Sequence, residues 1–383
     1  MDSVTSVPRL LILSFSPIAG DARVLKQVRH FSKHYDVVTC GYGESPAESA
    51  EHIRIPDTAR QNDLDGRLIT LHQYRLAYWR LGAVRWCRAN LPRGDWDAII
   101  ANDVETVPLA LSLAATKGVH ADLHEFSPRL HSNLAAWKRR IQPYYEWLCR
   151  TYVAKASSWT TVSGGLARQY QLDFGFLPEL AINAAPYTEL SAGAVTSPIR
   201  LVHSGVCLRA RNLIALVDAV EASTTPLTLD FYLTANDPAH LAELRARAAE
   251  VPGVTVHDPV PYEHLLETIN RFDVGVFALP PATFNSEWAL PNKLFDFVQA
   301  RLGVVIGPSK EMVRYVEEYS LGLVTDGFDA PSIAAVLDTL TPENVAAMKA
   351  SSDAAAGVLS AESQVAVWDV AVAAIVAGEQ RSR

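Results

Sequence analysis

The sequence predicts an α/β protein made of two doubly wound, parallel-sheet domains in tandem. Three observations carry that prediction. Short buried strands alternate with helical segments from residue 10 to residue 162, and a second series of the same kind begins at residue 199. Such alternation gives parallel sheets covered on both faces. Between the two series, Ser191-Ala192-Gly193-Ala194-Val195-Thr196-Ser197-Pro198 is small and polar, as linkers are. A length of 383 residues also exceeds one ordinary core and fits two domains of ordinary size.

The elements follow in order. Leu10-Leu11-Ile12-Leu13-Ser14-Phe15 reads as a buried strand. A loop through Gly20 and Asp21 leads into a helix with Val24, Val28 and Phe31 on its inner face, and Asp21 is a good N-cap. Residues 36–40, 97–101, 119–123 and 158–162 continue the strands of the first series, and Asn183-Ala184-Ala185-Pro186 ends a short one. The second series has strands at 199–203, 227–232, 254–257, 274–277 and 303–306, with a helix from about Asn212. The expected boundaries are a first domain over 1–188, a linker over 189–198 and a second domain over 199–360. Ligands of such sheets sit beyond the carboxyl ends of the strands. Asp103 and the run Asp122-Leu123-His124-Glu125 lie at such ends.

Composition narrows the function. The chain is 49% hydrophobic and 20% charged, which leaves no room for a long disordered tail. A net charge of −8 argues against general nucleic-acid binding. Cys40, Cys87, Cys149 and Cys207 are far apart, without metal-ligand spacing, so a reducing, cytoplasmic setting is expected. The apolar stretch from Leu10 to Phe15 is too short for a secretory leader, and no run reaches transmembrane length.

One stretch stands out: Ala289-Leu290-Pro291-Asn292-Lys293-Leu294-Phe295-Asp296-Phe297. It reads as a loop entering a helix, with Pro291 suited to the first helical position and Leu294, Phe295 and Val298 turned inward. Lys293 then falls in the first turn, where the helix dipole disfavours a cation. Either it is a solvated lysine, or something anionic docks there, since helix N-termini bind phosphate readily. Familiar phosphate motifs are missing. Gly41-Tyr42-Gly43 lacks the third glycine of a dinucleotide loop and follows the wrong strand, and there is no Walker loop or nucleophile elbow. Asp63-Leu64-Asp65 reads as a solvated turn rather than a metal site.

Taken together, the motifs resemble the two-domain GT-B glycosyltransferases, in particular the retaining type of glycosyltransferase family four. Gly20-Asp21-Ala22-Arg23-Val24-Leu25 is similar to a loop-helix motif of one branch of that family. Ala101-Asn102-Asp103 to Thr106 and Asp122-Leu123-His124-Glu125 resemble its paired first-domain motifs, and Thr161-Val162-Ser163 and Asn183-Ala184 match two further landmarks. Ser204-Gly205 with Arg211-Asn212-Leu213 resembles the loop and basic residue facing the donor diphosphate. Residues 290–297 resemble the donor-site helix.

The resemblance implies two Rossmann-like domains flanking an interdomain cleft, with a terminal helix over 361–379, carrying Val365, Val367, Trp368, Val372 and Ile375, returning to the first domain. It implies a nucleotide-diphosphate sugar as donor, a hydroxyl acceptor (saccharide, lipid-linked or small molecule), retention, and no cofactor or metal. Gly205, Arg211, Asn292 and Lys293 would bind the donor diphosphate. Asp296 would bind ribose where the family usually has the longer glutamate. His124 and Glu287 would lie at the transferred sugar, although Glu287 stands nine rather than eight residues before Asp296. Gly20, Asp21, Arg23, Asp103 and Glu125 would shape the acceptor side. Two departures load Arg211 and Lys293 further: Val206 replaces a common basic residue after Gly205, and Arg301-Leu302-Gly303 replaces a glycine-x-proline.

Residues 67–94 combine Arg67, Arg75, Arg80, Arg85, Arg88 and Arg93 with Tyr74, Tyr78, Trp79 and Trp86, uninterrupted by any acid, and Lys138, Arg139 and Arg140 form another basic cluster. Such a stretch is either an ordinary amphipathic helix packed on its domain or a contact with an anionic membrane. That places the expected location in the cytoplasm, with the inner membrane face as a further option. A nucleotide-sugar epimerase of the same architecture, a phosphorylase, and an inactive nucleotide-sugar-binding protein are the alternatives to a transferase.

Overall fold

The computed structural model describes residues 7–379, which divide into two compact units. The first contains the chain up to Ile182, residues Thr283–Asn285 and the chain from Gln364 onward; the second contains Asn183–Ala282 and Ser286–Ser363.

The first unit is organised on seven parallel strands: β1 (Arg9–Pro17), β2 (Asp36–Tyr42), β3 (Glu51–Arg54), β4 (Ala98–Asn102), β5 (Gly118–Leu123), β6 (Ser158–Thr161) and β7 (Glu179–Leu180). Their order is β3-β2-β1-β4-β5-β6-β7, so the winding reverses between β1 and β4. Leu10 of β1 pairs with Val37 on one side and Ala98 on the other, and Leu10 to Leu13 are fully buried. That is why this strand reads as an unbroken apolar run. Its helices are α1 (Ala22–Phe31), α2 (Gly66–Thr70), α3 (Tyr74–Arg80), α4 (Gly82–Asn90), α5 (Val107–Ser112), α6 (Ala135–Arg140), α7 (Gln142–Thr151) and α8 (Gly164–Phe174). Asp21 caps α1 by accepting from the amides of Arg23 and Val24.

The second unit has six parallel strands: β8 (Ile199–Val206), β9 (Leu227–Thr234), β10 (Val254–His257), β11 (Val274–Phe277), β12 (Gly303–Ile306) and β13 (Gly322–Val324), ordered β10-β9-β8-β11-β12-β13. The winding reverses here between β8 and β11. The helices in this part of the chain are α9 (Leu213–Ala222), α10 (Pro238–Ala249), α11 (Tyr262–Ile269), α12 (Phe284–Glu287), α13 (Asn292–Gln299), α14 (Lys310–Glu318), α15 (Ala330–Leu337) and α16 (Pro342–Ala355). The last helix, α17 (Ala361–Ala377), places Val365, Trp368, Val372 and Ile375 in one cluster with Leu10, Ile12, Val24, Val28 and Phe31.

Three local expectations need correction. Residues 67–94 form three short helices rather than one. His72 adopts φ 53°, which breaks the first from the second, and Gly82 packs where a Cβ would stand 2.9 Å from the Arg60 amide, which fixes the second break. Pro291 is the N-cap of α13, with φ −77° and ψ 151°, not its first helical residue. Asn183 to Pro186 lie beyond the two-residue strand β7, in irregular chain. The strands β3, β7 and β13 were not expected from the sequence; they are short edge strands of two to four residues, none of them buried.

Candidate active site

In the second unit the site grows from the meeting of β8 with α13. Lys293 is the second residue of α13, and its ammonium turns back to donate to the carbonyl of Ser204 near the end of β8. It also lies 5.3 Å from the centroid of the Phe277 ring. Gly205 follows Ser204 with φ 127°, in the region that favours glycine, and a Cβ there would run into the Lys293 ammonium. Glycine and lysine thus require one another. Arg211 closes the turn before α9, and among the described residues its guanidinium has no ion-pair or hydrogen-bond partner. Its neighbour Arg209 is tied off by Glu243 at 2.6 and 2.8 Å.

The electrostatics show what this arrangement lacks. Burial pushes Lys293 down to about 8; Asp296 opposes the fall and Arg211 deepens it. Burial likewise lowers Arg211. His203, 1% exposed on β8, is held well below its ordinary value by burial and then by Lys293 and Arg211. Its Nδ1 donates to the Val276 carbonyl at 2.8 Å, leaving a buried Nε2 without a partner. Three basic groups are therefore all pushed toward their neutral forms, and the one carboxylate acting on Lys293 is Asp296, a turn along α13 and 5% exposed. A site of that kind is short of negative charge, and an entering anion would relieve it.

In the first unit a buried polar network occupies the carboxyl ends of β4 and β5. Asp122, wholly buried, receives Arg23 Nε at 2.8 Å and Nη2 at 2.6 Å, Gln27 Nε2 at 2.7 Å and the Thr160 hydroxyl at 2.6 Å. Burial alone would raise its carboxyl, but Arg23 and then His124 outweigh that and hold it well below the usual range. Arg23 also donates to the Ala181 carbonyl at 2.7 Å and stacks 4.8 Å over Trp368. His124 sits between two acids, with Nδ1 3.5 Å from Asp103 and Nε2 3.5 Å from Asp122. Burial lowers His124, yet the two aspartates outweigh it and the net shift is upward. Asp103 adopts φ 67° and accepts the His124 amide at 3.3 Å. Beside it, Glu105 accepts the Tyr145 hydroxyl at 2.6 Å, and burial followed by Asp103 pushes it up to about 7.

No family model matches the chain, and no curated protein sequence does. Solved structures do. HepE of Anabaena, crystallised with UDP and glucose, superposes with a TM-score of 0.69 at 12% identity, over 96% of this chain and 100% of that one. Trehalose 6-phosphate synthase of Burkholderia multivorans gives 0.68 at 11% identity, over 97% and 99%. Sucrose-phosphate synthase of Thermosynechococcus elongatus gives 0.68 at 12% identity, over 97% and 99%. The fold is GT-B.

Within this GT-B chain the sequence-derived residues fall into distinct settings. Gly205, Arg211, Lys293 and Asp296 gather in the second unit, with Asn292 exposed at the first residue of α13. Glu287 stands apart from that electrostatic cluster, paired with Lys310, whose ammonium lies 4.6 Å from the Trp288 ring. His124 and Asp103 are joined in the first unit. Arg23 is an interior residue, 7% exposed, anchoring Asp122, and Asp21 serves as a helix cap that also accepts the Ser16 hydroxyl at 2.8 Å. Gly20 is exposed, and neither its backbone angles nor crowding requires a glycine there. Glu125 is exposed, its carbonyl accepting from Tyr170 at 2.6 Å. Sequence reasoning missed His203, Glu105 and Tyr262. His203 alone carried a signal, a histidine inside an otherwise apolar strand. Among the described residues, no three His, Cys, Asp or Glu side chains are arranged to hold a metal ion, and no helix is long and apolar enough to cross a membrane.

Proposed function

We propose that the protein is a glycosyltransferase, moving a sugar from a nucleoside-diphosphate donor to a hydroxyl acceptor with retention and without a metal. The observation that carries this reading is the anion-deficient cluster of Lys293, Arg211 and His203 beside Gly205. It fits a diphosphate better than a single carboxylate, because two separate cations and a close backbone approach are offered at once. A fold neighbour supports the donor class: HepE was crystallised with UDP-glucose as well as with UDP and glucose.

In this reading the chemistry is that of a leaving diphosphate. As the sugar–oxygen bond breaks, negative charge builds on the β-phosphate. Lys293 and Arg211 meet it with charge-assisted hydrogen bonds of about 1.5–3 kcal/mol each. The Lys293 proton, loosened in the empty site, is bound more tightly as that charge arrives. Asp296 holds ribose hydroxyls. In the first unit, Asp103 and Asp122 flank His124 and favour its charged form against burial, and in this reading it faces the transferred sugar.

The acceptor reading includes a lipid surface. Leu71 and Leu134 are 68% and 51% exposed, α6 buries none of its residues, and Lys138, Arg139 and Arg140 line it. Arg140 bonds Thr70 at 3.2 Å, so α6 lies against α2. A basic, apolar face on a chain of net charge −8 suits anionic headgroups. Salt-sensitive binding to vesicles containing phosphatidylglycerol supports that part, and indifference to anionic lipid removes it.

The test of the whole reading is thermal unfolding with uridine, guanosine, adenosine and thymidine diphosphates. One of them should raise Tm by mass action. The matching nucleotide sugars should then be consumed only when a hydroxyl acceptor is added, whereas an epimerase would act without one. Indifference to all four diphosphates refutes it.

A further inference from the structure

We propose that Tyr262 is a nucleoside-binding residue, its ring forming a preset face against which the base and ribose of the donor pack. The proposal rests on the donor reading above and assigns a side chain that the sequence did not single out.

Tyr262 is the first residue of α11, just past the carboxyl end of β10 and directly after Pro261. An exposed tyrosine usually lays its ring on the protein and points its hydroxyl to water. Here the orientation is reversed. The residue is 50% exposed, yet its hydroxyl points inward and donates to Asp296 Oδ1 at 3.1 Å, across 34 residues of sequence. Burial of that hydroxyl, followed by the charge of Asp296, raises the phenol well above its ordinary value, so it remains a donor at any physiological pH. The tip is pinned and the apolar ring is left in solvent.

Position gives this reversal a use. Asp296 and Arg211 both act electrostatically on Lys293, so the ring hangs from the same group of charges that forms the proposed diphosphate pocket. Residues three apart on a helix have Cβ atoms about 5–6 Å from one another. A nucleoside extending from a diphosphate on Lys293 therefore reaches the neighbourhood of Asp296 and its tyrosine. An aromatic side chain has few rotatable bonds, and pinning its tip removes most of the freedom that stacking would otherwise cost. Any base has a π-face, so the contact favours a nucleoside over bare diphosphate without choosing the base.

The experiment compares binding of the preferred nucleoside diphosphate and of inorganic pyrophosphate by calorimetry, using the full-length wild type, Tyr262→Ala and Tyr262→Phe. Tyr262→Ala should weaken nucleoside diphosphate by about tenfold while changing pyrophosphate less than about twofold. Tyr262→Phe keeps the ring, and should lie between the two and nearer the wild type. Equal binding of nucleoside diphosphate by wild type and Tyr262→Ala overturns the proposal alone. Parallel losses for both ligands in both variants also overturn it, reducing Tyr262 to a tether between α11 and α13. Failure of the wild type to bind any nucleoside diphosphate strikes the donor reading first and this proposal with it.

Discussion

Replacing Lys293 by methionine should make the empty protein more stable and the donor site weaker. Methionine keeps most of the length and removes the charge. The lysine falls from its ordinary 10.5 to about 8, which corresponds to a penalty of about 3 kcal/mol at most for holding the ammonium there. Partial solvent access and the lost bond to the Ser204 carbonyl reduce the recoverable gain to about 1 kcal/mol. In thermal unfolding without ligand at pH 7 that is a rise in Tm of about 2–4 °C. The sign with pH follows from proton counting. Between pH 8 and 10.5 the unfolded chain holds a proton that the folded one has released, so wild-type stability rises with pH through that window. The advantage of Lys293→Met therefore shrinks above pH 8. Binding moves the other way: losing one charge-assisted bond of about 1.5–3 kcal/mol weakens nucleoside diphosphate roughly 10- to 150-fold. A variant less stable than wild type at pH 7 that binds the nucleotide equally well would refute the anion-deficient site.

Other perturbations test the first unit. Arg23→Met strips Asp122 of its main partner and should destabilise by about 3–5 kcal/mol in urea unfolding, while Arg23→Met with Asp122→Asn should lose much less. Glu105→Gln should stabilise at neutral pH by about 1–3 kcal/mol, because a carboxyl raised to about 7 is disfavoured once ionised. That gain should fade as pH falls from 7 to the unfolded value near 4.5, where both states are protonated. His124→Gln should cost stability most at acidic pH, since a histidine whose folded value is raised stabilises fully below its unfolded value, about 6.5. The difference from wild type should close as pH rises through the folded value, readable from Tm measured across pH 5 to 9.

How much was legible beforehand depends on whether the deciding partner is close in sequence. Lys293 was visible because its conflict with the helix dipole is local to one turn. Gly205 was visible as a loop glycine at a strand end, although the collision that enforces it involves an ammonium 88 residues later. The buried strands were legible from continuous apolar runs, whereas β3 and β13 are short edge strands with no buried residue. Arg23 was read as a site residue because residues 20–25 resemble a loop-helix motif of the family. Its burial comes from Asp122, 99 residues away, which no local pattern reveals. Tyr262 offered nothing at all: a tyrosine after a proline is ordinary until α13 brings Asp296 to its hydroxyl.

The packing of α17 bears on the order in which the molecule can be completed on the ribosome. The sheet from β1 to β7 emerges early, but one wall of its core consists of Val365, Trp368, Val372 and Ile375. Each such side chain is worth about 1.5–3 kcal/mol when buried, so the nascent first unit must wait, with an open apolar flank and with Arg23 lacking its indole, while the whole second unit is synthesised. The segment that seals this sheet is therefore made only after the second unit, and a chain cut before α17 carries the unsealed flank.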